Sequence, residues 1–246
     1  MSKNVFKIEY LEEIDSTNTE LKRRARLGAP SGLVLVADGQ TAGRGRMERA
    51  FLSPRGSGLY MSVLLRPVRL TEAGRMTTLT AVAVARALEK VGVSVDIKWV
   101  NDLMAGGKKI GGILAEAGSF EGEPFAVIGI GVNLAHTAFP EELAAIATSA
   151  EDQTGRTPDR NTLAESILHE LAALDLPGEG NAAAMNEYRA RCTLLGKPIR
   201  VFPFGGDPFD ATALAVEDDG SLTVCPDFPD SIPIRLSSAE VSVREK

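Results

Sequence analysis

VSVDIKWVNDLMAGGKKIGGILAEAGSFEGEPFAVIGIGVNL, residues 93–134, contains three short apolar runs separated by Gly, Asn, Asp, Lys and Glu. Residues 93–100, 110–117 and 124–134 are rich in Val, Ile and Leu and too short for buried helices, so they read as strands of a sheet. NDLMAGGKK and the Gly/Glu-rich stretch before Pro124 read as the turns between them. Working outward, residues 5–11, 32–38 and 59–67 are further strand patterns. Between the first two lies DSTNTELKRRARLG, where Thr17 and Glu20 have the spacing of a capping box and Gly28 can close the helix as its C′ residue. Glu72 to Val91 is helical, with Ala81, Ala85 and Leu88 able to share one face, and 160–176 and 181–195 predict two more helices. From Gly196 the texture changes to short strand patterns, with Asp219–Gly220 as a hairpin turn. The expected fold is therefore α+β: a mixed α/β domain over 1–195 and a small all-β domain over 196–246.

The bulk properties fit a globular protein. The chain has 246 residues, 44% hydrophobic and 24% charged, with a formal net charge of -6. That acidic balance argues against a nucleic-acid partner, which needs a basic surface. The first fifteen residues hold no apolar run suited to a signal peptide or membrane span. Cys192 and Cys225 have no metal-ligand spacing and read as buried small hydrophobes, which points to the cytoplasm. His136 and His169 stand alone and read as surface or cap residues rather than ligands.

Four constellations can carry chemistry. Gly43-Arg44-Gly45-Arg46, followed by Arg49, lies in a long segment without apolar periodicity; its backbone can approach a ligand and its guanidinium groups can hold carboxylate or phosphate. A solvated loop with chance arginines is the bland alternative. Lys98-Trp99-Val100-Asn101-Asp102 ends a strand and could serve phosphate and Mg²⁺ together, with Asp102 as the metal ligand; an ordinary Asn–Asp turn is its alternative. In Lys109-Ile110-Gly111-Gly112-Ile113-Leu114-Ala115-Glu116 a lysine enters a strand whose glycines permit close backbone approach, against the alternative of a charged turn before a core strand. Gly129-Ile130-Gly131-Val132-Asn133 lacks the third glycine and the following helix of a dinucleotide-binding motif, and no P-loop is present.

Taken in order, Asp-Ser-Thr-Asn at 15–18, Gln40 before Gly-Arg-Gly-Arg at 43–46, Ser53-Pro54, Lys-Trp-x-Asn-Asp at 98–102, Lys-x-Gly-Gly-Ile-Leu-x-Glu at 109–116 and Gly-x-Gly-x-Asn at 129–133 resemble the biotin–protein ligase family over nearly the whole chain. The resemblance implies a catalytic domain related to class II aminoacyl-tRNA synthetases, then an SH3-like domain. It implies ATP and biotin as substrates, Mg²⁺, a biotinyl-5′-AMP intermediate, and transfer of biotin to a lysine of a biotin carboxyl carrier protein or carboxylase subunit. Because the chain begins at the catalytic domain, the monofunctional type is expected, without a DNA-binding domain, nucleic-acid partner or membrane association; a homodimer formed through the sheet is the expected assembly.

By position, the resemblance places Ser16, Thr17, Gln40 and Gly43 at biotin's ureido group and Gly112 and Gly131 at its ring system. Arg44 and Arg46 would hold the carboxylate and phosphate, and Lys109 would be the main electrostatic catalyst. Lys98, Asn101 and Asp102 would meet ATP phosphates and Mg²⁺, with Arg49, Phe51 and Asn133 toward the adenylate. Three departures are visible: Val100 where the family usually has proline, Met47-Glu48-Arg49 where it continues Arg-Gly-Arg, and Phe51 where tryptophan is common. Phe51 keeps an aromatic face for adenine, while Glu48 adds negative charge to an anion-binding loop and predicts weaker adenylate retention. A lipoate–protein ligase is the neighbouring alternative.

Overall fold

The computed structural model describes residues 6–66, 68–69, 72–136, 139–174, 176, 182–204, 206–237 and 241–245. Among them, seven strands form one sheet: β1 (Lys7–Ile14), β2 (Leu33–Gln40), β3 (Gly58–Leu65), β4 (Asp96–Lys98), β5 (Asp102–Ala105), β6 (Lys108–Phe120) and β7 (Glu123–Asn133). Their order is β1-β2-β3-β7-β6-β5-β4. β1 and β2 are parallel, joined through helix α1 (Thr17–Ala25), and the other neighbours are antiparallel.

Both faces of the sheet centre are covered, which is why its strands read as continuous apolar runs. The period of two divides them. Val34, Val36, Met61, Val63, Ile128 and Ile130 join the larger core with α2 (Ala73–Glu89), α5 (Arg160–Ala173) and α6 (Ala182–Arg191), while Leu35, Leu64, Phe125 and Val127 pack with Leu21 and Ala25 of α1. Toward the far end of that second face the apolar residues give way. Phe125 and Val127 are followed on the same face by Gly129 and Gly131, which pair with Leu114 and Gly112 across β6. A row of small residues leaves space above the sheet beside the N-terminus of α1, and this space is the cleft described below.

Two short helices, α3 (Glu141–Ala144) and α4 (Ala150–Thr154), follow β7. The C-terminal part is all-β: β8 (Pro198–Pro203), β9 (Phe209–Val216), β10 (Leu222–Pro226), β11 (Ile234–Leu236) and β12 (Val241–Glu245) form an antiparallel sheet in the order β11-β10-β9-β8-β12. The expected sequence of a mixed α/β part and a small β part is what the structure has, and Asp219–Gly220 turns the β9–β10 hairpin, with Gly220 at φ 83°.

Several local expectations change. The cap of α1 is Ser16, whose Oγ accepts from Thr19 N–H, rather than Thr17. Thr17 is instead the first helical residue, with its N–H and hydroxyl turned to Gln40 Oε1, at 2.9 and 3.1 Å. Glu20 pairs instead with Arg23 and Arg24; burial opposes but does not outweigh the leading hydrogen bond from Arg23, and the Glu20 carboxyl falls to about 2. Arg26 is the C-terminal cap, with Gly28 two residues beyond. The strand expected over 93–100 is confined to Asp96–Lys98, and the expected turn over 101–109 contains β5. Asn101 closes the turn begun at Trp99-Val100, and Gly106-Gly107 turns between β5 and β6 at φ 55° and 77°, as a two-residue hairpin requires. Both cysteines are half-buried and free, and His136 is exposed, contacting Asp152. Val5, Pro67, Asp175 and Asn181, which fall inside expected strands and helices, and residues 238–240 of the expected β domain lie outside the described residues.

Trp99 and Val100 leave strand geometry because the rest of the protein holds them. Trp99 Nε1 donates to Gly220 O at 2.9 Å, and the buried Tyr188 hydroxyl donates to Val100 O at 3.1 Å. Burial pushes the Tyr188 phenol well above its ordinary range, so it remains a donor. Tyr188→Phe leaves a buried carbonyl without this partner and is expected to cost about 1–2 kcal/mol of stability. Urea denaturation checks this: an unchanged midpoint would show that the bond contributes nothing.

Candidate functional site

The cleft has a volume of about 400 Å³ and gathers most of the residues singled out in the sequence. Its floor is polar and uncharged. Ser16 and Thr17 at the start of α1, Gln40 at the end of β2, and Gly112 and Gly131 on paired strands all line it. Gln40 is fixed at both ends: Oε1 accepts from Thr17, and Nε2 donates to Ser53 Oγ at 2.9 Å. Ser53 Oγ donates on to Phe51 O, also at 2.9 Å. Ser62, buried on β3, stands 2.7 Å from Thr17 Oγ1 and 2.6 Å from Asn18 Oδ1. Its single proton serves one acceptor at a time.

The other part of the cleft is cationic. Arg44, Arg46, Arg49, Lys98 and Lys109 line it with Asn101, and Asp102 is the sole carboxylate among the described lining residues. Lys109 Nζ is paired with Asp102 Oδ1. The Lys109 backbone is held from outside the β5–β6–β7 ladder: its N–H donates to Ile146 O at 2.8 Å, and Thr148 N–H donates to its carbonyl at 2.9 Å. The Lys109 ammonium is thus carried on a backbone restrained on both sides.

The arginine segment folds back on itself. Arg44 bridges Ala50, Gly45 N–H donates to Arg49 O, and Phe51 N–H donates to Gly43 O. The tip is a single 3-10 turn, Arg46–Glu48, with Met47 left-handed at φ 56°. The folded-back segment aims Arg46 into the cleft, where Nη1 lies 3.5 Å from Asn101 Oδ1. Burial pulls the Arg46 guanidinium below the usual arginine range, with the charge of Asp102 opposing. A half-desolvated cation of this kind attracts an anion more strongly than one in water. Phe51 lines the cleft and lies over Gly131, where a Cβ would come within 2.6 Å of its ring; its edge meets Tyr60 at 6.4 Å and 73°.

Two of the expected site residues stand elsewhere. Gly43 is not among the cleft-lining residues and packs against Phe51 O and Ser53. Asn133 also lies off the cleft, and its Nδ2 donates to Thr148 O at 3.0 Å. The side chain of Glu48 lies outside the described residues, so its expected effect has no structural counterpart here. Conversely, Asn18, Ile146 and Val243 line the cleft without having been expected to. Asn18 was visible in the Asp-Ser-Thr-Asn stretch. Ile146 and Val243 carry no sequence signal, because tertiary folding alone brings them there. No group of three or more His, Cys, Asp or Glu able to hold a metal occurs among the described residues, and no helix there is long and apolar enough to cross a membrane.

The model of the biotin/lipoate A/B protein ligase family matches residues 10–133, slightly more than half the chain. The chain belongs to the biotin/lipoate A/B protein ligase family. The matched span carries every expected site residue, from Ser16 to Asn133. The chain is 36% identical over 225 residues to the biotin–[acetyl-CoA-carboxylase] ligase of Mycobacterium tuberculosis, covering 87% of this chain and 82% of that protein. It is 37% identical over 220 residues to the bifunctional ligase/repressor BirA of Bacillus subtilis, covering 87% and 67%. Among solved structures, the biotin protein ligase of Aquifex aeolicus in complex with biotin and ATP superimposes with a TM-score of 0.79 at 27% identity, covering 97% of this chain and 99% of that one. This likeness spans both sheets.

Proposed function

We propose that this member of the family is a biotin–protein ligase, and that the division of one cleft into a neutral hydrogen-bonding floor and a cationic half carries the assignment. Biotin has a matching division: a neutral ureido ring at one end and a carboxylate at the other. The floor, with Ser16, Thr17 and Gln40, suits the ring. Arg44, Arg46 and Lys109 suit the carboxylate and the α-phosphate of ATP. The matching of floor to ring favours biotin over lipoate, whose dithiolane ring has no N–H or C=O group to be recognised.

The reaction follows from that placement. A biotin carboxylate oxygen attacks the α-phosphorus of ATP, the bond to the β-phosphate oxygen breaks, and pyrophosphate leaves. The lysine amine of an acceptor, a biotin carboxyl carrier protein or carboxylase subunit, then attacks the acyl carbon; AMP leaves and the amine loses its proton. Neither step needs a side-chain nucleophile. Positioning and charge neutralisation supply the catalysis, from Lys109 and Arg46 above all. Lys98 and Asn101 face the triphosphate, with Phe51 and Arg49 toward the adenylate. A lone carboxylate suits Mg²⁺ carried largely by nucleotide phosphates, and Asp102 would hold it, where the ion would supply charge neutralisation. The boundary near residue 196 separates this catalytic part from the SH3-like part.

ATP–pyrophosphate exchange tests the assignment. Exchange is expected to depend on biotin and to be insensitive to lipoate. Lipoate-dependent exchange, or none with biotin, would overturn it.

A further inference from the structure

Glu116 belongs to the Lys-x-Gly-Gly-Ile-Leu-x-Glu stretch yet is not among the residues lining the cleft. It sits on β6, on the sheet face that also carries Gly112 and Leu114. Its carboxylate is paired with Lys22 of α1, both side chains being largely buried. Burial pushes the Glu116 carboxyl up, but hydrogen bonds from Lys22 and Asn18, with the charges of Lys22 and Arg44, bring it below the usual range. It is therefore ionised at neutral pH.

Asn18 connects this ion pair to the cleft. Its Nδ2 donates to Glu116 Oε2 at 2.9 Å and to Leu114 O at 3.2 Å. A carbonyl and an ionised carboxylate can only accept, so the amide nitrogen must face them. The reverse orientation would set Oδ1 against two acceptors in a buried site, which is costly. Oδ1 is consequently turned toward Ser62 Oγ, at 2.6 Å, and toward Gly129, where a Cβ would lie only 2.3 Å from it. A carbonyl oxygen has two lone pairs. Ser62 uses one, and Asn18 lines the cleft.

We propose that Glu116, held as a carboxylate by Lys22, is a positioning residue that fixes the amide of Asn18, so that the cleft floor presents a hydrogen-bond acceptor to a ligand N–H. The ligand part rests on the function proposed above, in which the N–H belongs to the biotin urea. Reversing Asn18 would present a donor to that N–H and repel it.

Glu116→Gln keeps the shape and removes the constraint, because a glutamine can turn its own amide to donate to Asn18 Oδ1. The variant is expected to raise KM for biotin about tenfold, the order of one lost hydrogen bond, with kcat and KM for ATP within about twofold of wild type. The orientation itself is read by ¹H–¹⁵N spectra of the Asn18 side-chain amide, identified by its loss in Asn18→Asp. Wild type should show two slowly exchanging amide protons; Glu116→Gln should show faster exchange or a second set of signals. A biotin KM unchanged in the variant overturns the proposal, as does a parallel loss in kcat and both KM values, which marks a merely structural role. If wild type shows no biotin-dependent exchange, the functional assignment fails, and unchanged Asn18 signals in Glu116→Gln then overturn the positioning role independently.

Discussion

Lys109→Ala is expected to reduce biotin-dependent adenylation by about 10²–10³-fold, the cost of removing one preorganised group that stabilises developing charge, while leaving the protein folded. The ammonium lies in the cleft among the groups that would surround the carboxylate and α-phosphate. Negative charge shifts there as the new P–O bond forms, so the loss should fall on kcat more than on either KM. Its ion pair with Asp102 contributes little to folding, since the two side chains are 38% and 30% exposed; partly exposed pairs add about 0–1 kcal/mol. The backbone bonds to Ile146 and Thr148 survive the substitution. Single-turnover adenylate formation and a thermal melt measure both parts. Pyrophosphate exchange near wild type would remove Lys109 from the chemistry, and a collapsed melting transition would make its role structural.

Arg46→Gly is expected to release the acyl-adenylate about 10–100-fold faster, the worth of a charge-assisted hydrogen bond of about 1.5–3 kcal/mol. Arg46 holds its position through the 3-10 turn and is half-desolvated beside Asn101 and Asp102. Biotin alone offers it a carboxylate; the adenylate adds a phosphate. The segment from Thr41 to Leu52 should therefore resist protease better with biotin and ATP than without, as ligand anions offset the repulsion among Arg44, Arg46 and Arg49 and the entropy of ordering the backbone. Closing over the ligand would also keep water from a hydrolysable mixed anhydride. Arg46→Met separates the lost charge from the backbone freedom that glycine adds. Chasing labelled adenylate from wild type and both variants gives the release rates. Escaped adenylate should also label lysines of a bystander protein. Equal release rates would show that Arg46 does not retain the intermediate, and equal cleavage with and without ligand would show that the segment is not ordered by it.

The two-part architecture, the main strands and helices other than β5, α3 and α4, and the cleft's charged side chains were legible in the amino-acid sequence, whereas two expected site residues, Gly43 and Asn133, lie off the cleft. The legible features are local properties. Buried strands appear as short apolar runs, and the Gly-Gly turn, the Asp-Gly hairpin and the paired glycines of β6 and β7 mark where the backbone must bend or come close. Chemistry packed into continuous stretches, as in Lys98–Asp102 and Lys109–Glu116, also needs no folding to be read. The remaining features depend on partners distant in the chain. Thr17 has the spacing of a cap, but Ser16 takes that place, and the N–H and hydroxyl of Thr17 turn to Gln40, 23 residues on. The strand through Lys98 stops at Trp99 because Gly220 and Tyr188 hold the next two residues. Asn133 belongs to a site motif, yet its amide is bound to Thr148. Ile146 and Val243 reach the cleft from segments with no motif at all. Spacing along the chain gives which residue types are available; which hydrogen bond each one makes is settled by competition among groups that meet only when the sheet and helices close around them.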